Sequence, residues 1–284
     1  MTARRVAYLF LVVGALSLLL YRYPDRWPAK DLVDDLYANA STSLLSIAIT
    51  VLLIDRLNDA RAEAQDKNRL VREMGSEYLG TALRAAAEVT ASGWVKDGSL
   101  RGADFARARL EGVRLTDADL AGTNLSHAVL KEADLSGASL RGAVLQWADA
   151  ERCTLRGADL SGANLRNTGL AGANLEGVTI TAECDLLKAQ FAGASLRDAH
   201  LTGAEFEDCD LRECDLTGAD LRSAVLRKAT VTGAVLDRAD LERADLIGLR
   251  GWENITSMRE TQIAGVRNAP AGFEEFAVGL GAKA

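Results

Sequence analysis

Four cysteines and two histidines are the residues of this sequence best suited to metal binding, disulfide formation or nucleophilic catalysis. The cysteines are Cys153, Cys184, Cys209 and Cys214. Their spacing contains no C-x-x-C unit, which zinc and redox sites commonly use. Each stands two residues before a leucine, and alanine usually fills the corresponding position of the five-residue units that repeat between residues 98 and 246. Cysteine acts there as a small apolar side chain, so we expect four buried thiols, no metal and no cofactor.

The two histidines, His127 and His200, are far apart and neither lies within a recognisable catalytic motif. The chain contains no G-x-S-x-G nucleophile elbow, no P-loop and no dinucleotide-binding fingerprint. The five-residue repeat of residues 98–246 places both histidines at outward positions. We therefore expect surface histidines, no catalytic residues and a protein that is not an enzyme.

Acidic residues are densest between residues 205 and 215, where Arg212 is the only basic residue. They are Glu205, Glu207, Asp208, Asp210, Glu213 and Asp215. Such a cluster could focus negative potential on a basic partner or a cation, although the same charges would suit an ordinary solvated surface. Trp147 is a second candidate contact, because an exposed tryptophan can anchor a partner. It could equally pack beneath a neighbouring helix.

The overall charge argues against direct nucleic-acid binding. The chain carries a net charge of −7, and residues 97–246 hold 25 acidic against 17 basic side chains. A nucleic-acid-binding domain usually shows a basic excess. We expect no direct contact with DNA or RNA, and a protein partner whose identity the sequence does not specify.

A period of five residues organises the middle of the chain. Large apolar residues, the centres, recur from Leu100 to Ile180 and, after one inserted residue within 181–185, from Leu186 to Leu246; of these 30 centres, 24 are leucine. The residue two places before each centre is small, and the residue between them is commonly Asp or Asn. In extended backbone the centre and the small residue point the same way. The other two residues turn a corner, so the pentads coil into a solenoid.

The segments ADLSGASLRGAVL (133–145), GADLSGANL (157–165) and GADLRSAVL (218–226) resemble the pentapeptide-repeat proteins. The resemblance covers residues 98–246 and implies a mainly β fold, a right-handed quadrilateral β-helix with four pentads per coil. Thirty pentads would form about 7.5 coils and, at ~4.8 Å per coil, a rod about 36 Å long. Leucine would stack on leucine in its interior.

Two apolar segments precede the repeats. Residues 6–23 and 36–54 are interpreted as transmembrane helices, joined by a short external loop at 24–35 and preceded by a cytoplasmic tail at 1–5. More Lys and Arg flank the outer ends of the pair than lie in the loop, which places the repeats in the cytoplasm. The sequence thus predicts a multi-pass protein of the cytoplasmic membrane, held in the lipid bilayer by both segments. A cleaved signal peptide is the alternative.

Residues 55–97 contain no proline and many good helix formers, which predicts a helical connector that Gly75 and Gly80 break or bend. A weak heptad pattern leaves open a coiled coil and hence a homo-oligomer. The β-helix is expected over 98–247, followed by a C-terminal cap with a short helix over 248–284. Aromatic residues of that last segment suit a cap.

Two functions from different classes fit these observations. The first is a non-enzymatic, membrane-anchored scaffold whose regular surface binds a protein partner. The second follows from the resemblance, because some soluble pentapeptide-repeat relatives are acidic, rod-like DNA mimics that bind a DNA topoisomerase and confer quinolone resistance. The outward positions along one side mix Asp with Ser, Thr and His, so they form only a broken acidic ladder. We therefore prefer the scaffold.

Overall fold

The computed structural model describes residues 3–20 and 30–284. The chain divides into two compact units, Met1–Asp66 and Lys67–Ala284. The first unit contains α1 (Ala3–Leu20) and most of α2 (Lys30–Met74). Helix α2 is long because its 45 residues include neither glycine nor proline, the two residues least compatible with a helix interior.

The predicted membrane localisation is wrong. Among the residues that the structure describes, no helix combines the length and the apolar character needed to cross a bilayer. The apolar segment 36–54 is part of α2, which continues without a break into a densely charged stretch. The helices predicted at 6–23 and 36–54 are therefore not confirmed as transmembrane, and a cytoplasmic-membrane protein is not supported. Of the loop predicted at 24–35, residues 24–29 lie outside the described residues, and residues 30–35 form the start of α2 rather than a loop.

In the second unit, the end of α2 and helix α3 (Leu79–Ala91) pack against the start of the repeats. The connector breaks at Gly75, where an added Cβ atom would come within 2.7 Å of the carbonyl oxygen of Asp104. The second glycine of the connector lies inside α3 instead. The N–H of Arg109 donates to the carbonyl of Ser76 at 3.0 Å. Bonds of this kind pair backbone groups of the first coil that would otherwise form an open edge.

From Asp104 onward the chain forms a four-sided solenoid of short extended segments. Parallel β-bridges join nearly every segment to the one 20 residues later, as in Asp104↔Asn124 and Asp159↔Thr179, so four pentads complete one coil. All the centres from residue 100 to residue 246 are buried, and so are nearly all the small residues. The inward register predicted from the five-residue period is confirmed.

The inserted residue widens one corner of the solenoid, at 181–184. Bridges that cross it span 21 residues instead of 20, as in Asn164↔Asp185. The N–H of Cys184 donates to the carbonyl of Thr181 at 3.0 Å. Cys184 itself still points inward, with 4% of its surface exposed. The insertion is therefore a local loop across which the bridges to the preceding coil persist, although no β-bridge joins Asp185 to Glu205 of the following coil, both of them described residues.

Pairing continues beyond residue 247, where the pentad pattern ends. Gln262 bridges Lys283, because a bridge needs an extended segment in each coil but no particular side chain. A 3₁₀ turn (Trp252–Asn254) and α4 (Phe273–Gly279) cover this end. The ring of Trp252 lies edge-on to two phenylalanine rings of the α4 region, with centroids 5.9 and 5.4 Å away. Aromatic packing thus covers the C-terminal coils.

Candidate interaction surface

Nearly every corner of the solenoid is a β-turn with one residue in left-handed backbone. The carbonyl of each centre accepts a hydrogen bond from the N–H three residues later, as between Leu140 and Ala143 at 3.0 Å. The third residue of the turn has a positive φ, for example +63° at Gly142. Glycine adopts this conformation without the steric clash that a Cβ atom causes. A different residue at the same place costs about 1 kcal/mol.

Most Asp and Asn residues of the repeats stabilise these turns. The side-chain oxygen of Asp134 accepts a hydrogen bond from the N–H of Ser136 at 3.0 Å, and Asp220 does the same for Arg222 at 3.2 Å. This Asx turn recurs at Asp97, Asp104, Asp119, Asn124, Asp149, Asp159, Asn164, Asn174, Asp185, Asp210, Asp215, Asp240 and Asp245. Many carboxylates of the rod are therefore structural, a role that the period alone does not reveal.

The six carboxylates of the acidic stretch 205–215 do not share one face. Successive pentads turn through successive sides of the coil, so Glu205, Asp210 and Asp215 belong to three different columns of bridges. Arg212 holds Asp210 through two bonds of 2.8 and 2.6 Å, and this contact lowers the pKa of the Asp210 carboxyl. The described residues contain no cluster of three or more His, Cys, Asp or Glu side chains that could hold a metal ion.

The other carboxylates of the acidic stretch are divided between paired and unpaired. Arg197 contacts Asp215 at 2.9 Å. Arg250 contacts Asp208 at 3.4 Å. No ion pair within the described residues involves Glu205, Glu207 or Glu213. Three of the six charges are thus compensated locally, and the stretch does not form a continuous acidic patch.

The broken acidic ladder predicted along one side is also paired with arginines. Its column contains Asp119, Ser139, Asp159, Thr179, His200, Asp220 and Asp240, each bridged to the next. Arg141 contacts Asp159 at 2.9 Å. Arg222 contacts Asp220 at 2.6 Å and lowers the pKa of that carboxyl. Such solvated pairs are individually weak, but they interrupt the negative potential that a DNA mimic would present.

All four cysteines are unoxidised and buried in the interior of the solenoid. The thiol of Cys209, for example, donates to the carbonyl of Leu186 at 3.0 Å. Burial raises the pKa of Cys153, Cys209 and Cys214 to about 12. A neutral thiol that is shielded from solvent is a poor nucleophile and a poor metal ligand, so the positions favour packing.

One of the four corners, which we name the ridge corner, lacks glycine in seven successive coils. Its left-handed residues are Arg107, His127, Trp147, Asn167, Lys188, Asp208 and Lys228, and then Gly248. In the other three corners, a residue other than glycine occupies three, three and two of the seven left-handed positions between 102 and 243. Left-handed backbone is strained for a bulky residue such as tryptophan. Strain of this kind often accompanies a functional site.

Trp147 and His127 stack along the ridge corner. Backbone hydrogen bonds join neighbouring coils here, as from the N–H of Trp147 to the carbonyl of Arg166 at 3.1 Å. The two rings are parallel within 4°, with centroids 6.4 Å apart. Trp147 keeps 54% of its surface exposed, so the connector helix does not cover it. Its indole is held in place by a neighbour and remains available to a partner.

The cations of the ridge corner differ from those elsewhere in the repeats. Residues 98–246, all of them described, contain 17 Lys and Arg side chains, of which eleven form ion pairs. The six that form none in this part of the chain are Arg107, Arg114, Lys188, Arg227, Lys228 and Arg238. Four of them belong to the turns of the ridge corner: Arg107, Lys188, and the neighbours Arg227 and Lys228. One edge of an acidic rod therefore carries uncompensated positive charge.

The sequence pattern pointed to Trp147 but not to its neighbours on this corner. Residues about 20 apart meet only after the chain has closed a coil of four pentads, and the insertion changes that interval to 21. The signal that could have found the corner is the absence of glycine at every fourth turn, beginning at Arg107. The individual turns look unremarkable when the sequence is followed one pentad at a time.

The register, the filled interior and the corners define a pentapeptide-repeat β-helix. The family model for pentapeptide repeats matches the chain in eight copies, which together span residues 99–181 and 182–248. These matches cover more than half of the chain, so the protein belongs to the pentapeptide-repeat family and its repeats form a right-handed β-helix. No curated protein matches the chain.

Three solved structures resemble parts of the chain. HetL, involved in heterocyst differentiation regulation in the cyanobacterium Nostoc, is 25% identical over 64% of this chain and 91% of its own, with a TM-score of 0.27. QnrB1, a plasmid-mediated fluoroquinolone resistance protein, is 17% identical over 63% of this chain and 95% of its own, with a TM-score of 0.34. A pentapeptide repeat protein of the Arabidopsis thaliana thylakoid lumen is 34% identical over 37% of this chain and 66% of its own, with a TM-score of 0.23. The family assignment rests on the repeat model rather than on these partial likenesses.

Proposed function

We propose that this protein is a non-enzymatic scaffold that binds a protein partner along the side of its β-helix. The observation that carries the proposal is the ladder of parallel bridges between Asp104 and Lys283. It holds outward side chains in straight columns, ~4.8 Å from one coil to the next. The interior beneath them is filled with apolar side chains. A solenoid of this kind offers a long, rigid surface to a partner rather than a cleft to a substrate.

Site-specific photo-crosslinking of the full-length protein in its native cells tests the proposal. A photoreactive amino acid is placed at Asn167 in the ridge corner and, in a second variant, at Ser139 in another column. Mass spectrometry should then identify the same protein partner in repeated experiments, captured from at least one position. If neither position captures a protein reproducibly, although both variants fold and are produced at the normal level, the scaffold proposal fails.

A topoisomerase-binding DNA mimic, the second function considered from the sequence, makes a separate prediction. Its acidic column is interrupted by the pairs that Arg141 and Arg222 form, which weakens it. We expect the full chain neither to inhibit DNA gyrase in a supercoiling assay nor to protect it from a quinolone. Inhibition or protection at a stoichiometric concentration would favour the mimic over the scaffold.

A further inference from the structure

We infer that the ridge corner docks an extended acidic segment of a partner protein. The segment carries an apolar or aromatic side chain, with acidic side chains three residues away on either side. The inference rests on the proposed scaffold function, and it adds the docking edge and the chemistry of the partner. Three features of the corner lead to it: the spacing of its contact groups, its unpaired cations and its exposed, stacked indole.

The contact groups of the ridge corner alternate from coil to coil. Successive contact groups along the corner are two coils apart, and they are Arg107, Trp147, Lys188 and Lys228. The coils between them carry His127, Asn167 and Asp208 at the same position. Two coils rise about 9.6 Å, since neighbouring coils are ~4.8 Å apart. Three residues of an extended peptide cover about 10 Å. A peptide that lies along the corner can therefore set every third side chain against one of the four groups.

The charges favour carboxylates as the flanking groups. Within the described residues, Arg107, Lys188 and Lys228 have no ion-pair partner, so a carboxylate can approach them without displacing one. The cations of the next corner are already engaged: Lys131 contacts a glutamate at 3.0 Å and Arg152 another at 2.9 Å. Each new pair at a solvated edge would contribute little by itself. Several pairs at a fixed spacing would set the register of the peptide.

The indole of Trp147 supplies the apolar contact between these cations. It lies midway between Arg107 and Lys188, two coils from each. Its stacking on His127, with centroids 6.4 Å apart, orders it before a partner arrives. A side chain that is already ordered loses little entropy on binding, and tryptophan is among the residues that most often dominate an interface.

A protein segment fits this edge better than a single-stranded nucleic acid. A nucleic acid carries a charge at every phosphate, and its backbone would pass Glu207 and Asp208 between the cations at Lys188 and Lys228. The neighbouring faces add Asp149 and Glu205, so the edge is a narrow basic line on an acidic rod. A peptide can omit charge beside Asp208 and place it only where a cation stands.

Fluorescence polarisation with the full-length protein tests the inference. The probe is a fluorescein-labelled peptide, ESGFSGESGE, which places glutamates three residues from phenylalanine on both sides and a third glutamate three residues further on. The first control peptide has the same composition with the three glutamates adjacent, and the second probe is a ten-nucleotide oligothymidylate. We expect the spaced peptide to bind about tenfold more tightly than the clustered one, a difference that corresponds to ~1.4 kcal/mol.

Variants of the corner separate docking from folding. Trp147→Ala and Lys188→Glu should each weaken binding of the spaced peptide about tenfold. Replacing the second glutamate of the peptide by lysine should restore binding to Lys188→Glu. Arg238→Glu, which reverses an unpaired cation on another corner, is the matched control and should leave binding unchanged. Thermal melting of each variant shows that the fold persists.

Equal binding of the spaced and clustered peptides, or unchanged binding to Trp147→Ala, overturns the inference. Tighter binding of oligothymidylate also overturns it, in favour of a nucleic acid. A protein partner that is captured at Ser139 and is insensitive to both ridge variants leaves the scaffold function standing while the ridge corner fails. Peptide binding without any partner captured in cells would instead count against the scaffold function.

Discussion

The interior columns and the ridge corner of this β-helix are both built from equivalent positions of successive coils, stacked on one another. They differ in how many residue types they contain. The interior repeats leucine and alanine at almost every level, and these residues are fully buried. The ridge corner presents six residue types in seven coils, from Arg107 to Lys228. A single repeat can therefore carry a uniform fold and an individual surface, because the two sets of positions point in opposite directions.

This difference separates stability from recognition. A change in the interior alters contacts with the coils above and below, so its effect spreads through a one-dimensional array. A change at an exposed corner alters solvent contacts and the local turn. We therefore expect interior substitutions to change folding and ridge substitutions to change binding.

Leu160→Arg should have the largest effect, because it places an unpaired charge among buried side chains. We expect a loss of at least about 4 kcal/mol in the free energy of unfolding, seen as loss of the cooperative thermal transition by circular dichroism. The matched control is Thr154→Arg, which adds the same charge at a half-exposed outward position and should change the transition little. An unaltered transition in Leu160→Arg would show that the interior tolerates charge as well as an outward position does.

Thiol labelling should show the second-largest difference between the interior and the exposed corners. With the pKa of Cys153, Cys209 and Cys214 at about 12, their thiolates are scarce at pH ~8, so these three cysteines should react with dithionitrobenzoate about a thousandfold more slowly than exposed thiols. Cys184 is also buried, so its reaction should be slow as well. Ser223→Cys, at an exposed corner, should add one fast-reacting thiol per chain. Urea should make all five react. Rapid labelling of the native cysteines in the folded protein would contradict their burial.

A smaller effect should come from the turns. Gly142 has a φ of +63° and nothing within 4 Å of an added Cβ atom, so Gly142→Ala tests the backbone conformation alone. We expect a cost of about 1 kcal/mol, measured by urea unfolding. Gly169→Ala is the control, since Gly169 lacks a positive φ and an added Cβ atom meets its nearest neighbour at 3.8 Å. Equal effects of both changes would remove the argument from strain at the ridge corner.

The smallest effect should come from Asp97, at the N-terminal end of the coils. Its carboxylate accepts hydrogen bonds from the N–H of Ser99 and from Lys67, each at 2.9 Å. The interactions of the carboxylate with the side chain of Ser99 and with Lys67 lower its pKa to about 2. Because this pKa lies below the ordinary value of ~3.9, the contact adds stability above about pH 4 and loses it as the pH falls toward 2. Asp97→Asn should therefore destabilise the protein slightly at neutral pH and less at acidic pH, in urea titrations. Glu207→Gln, which removes a carboxylate that forms no ion pair within the described residues, is the matched control and should change the stability little at neutral pH.

The sequence was sufficient for the β-helix because a period of five residues leaves few alternatives. Leu160 and Ala158 had to point the same way in extended backbone, and the intervening residues had to turn. It was not sufficient for the environment of residues 36–54. An apolar stretch of that length suits a bilayer, but in the structure it is one part of the long helix α2.

Residue order along the chain therefore determined which side chains enter the core, where the corners lie and that the cysteines are packed as small apolar groups. Tertiary structure alone decided which outward residues become neighbours. Arg197 and Asp215 pair, the acidic stretch spreads over three faces, and Trp147 meets His127 at 6.4 Å. The physical reason is that burial depends on a period of a few residues, whereas a surface is assembled between coils, from residues that are about 20 positions apart.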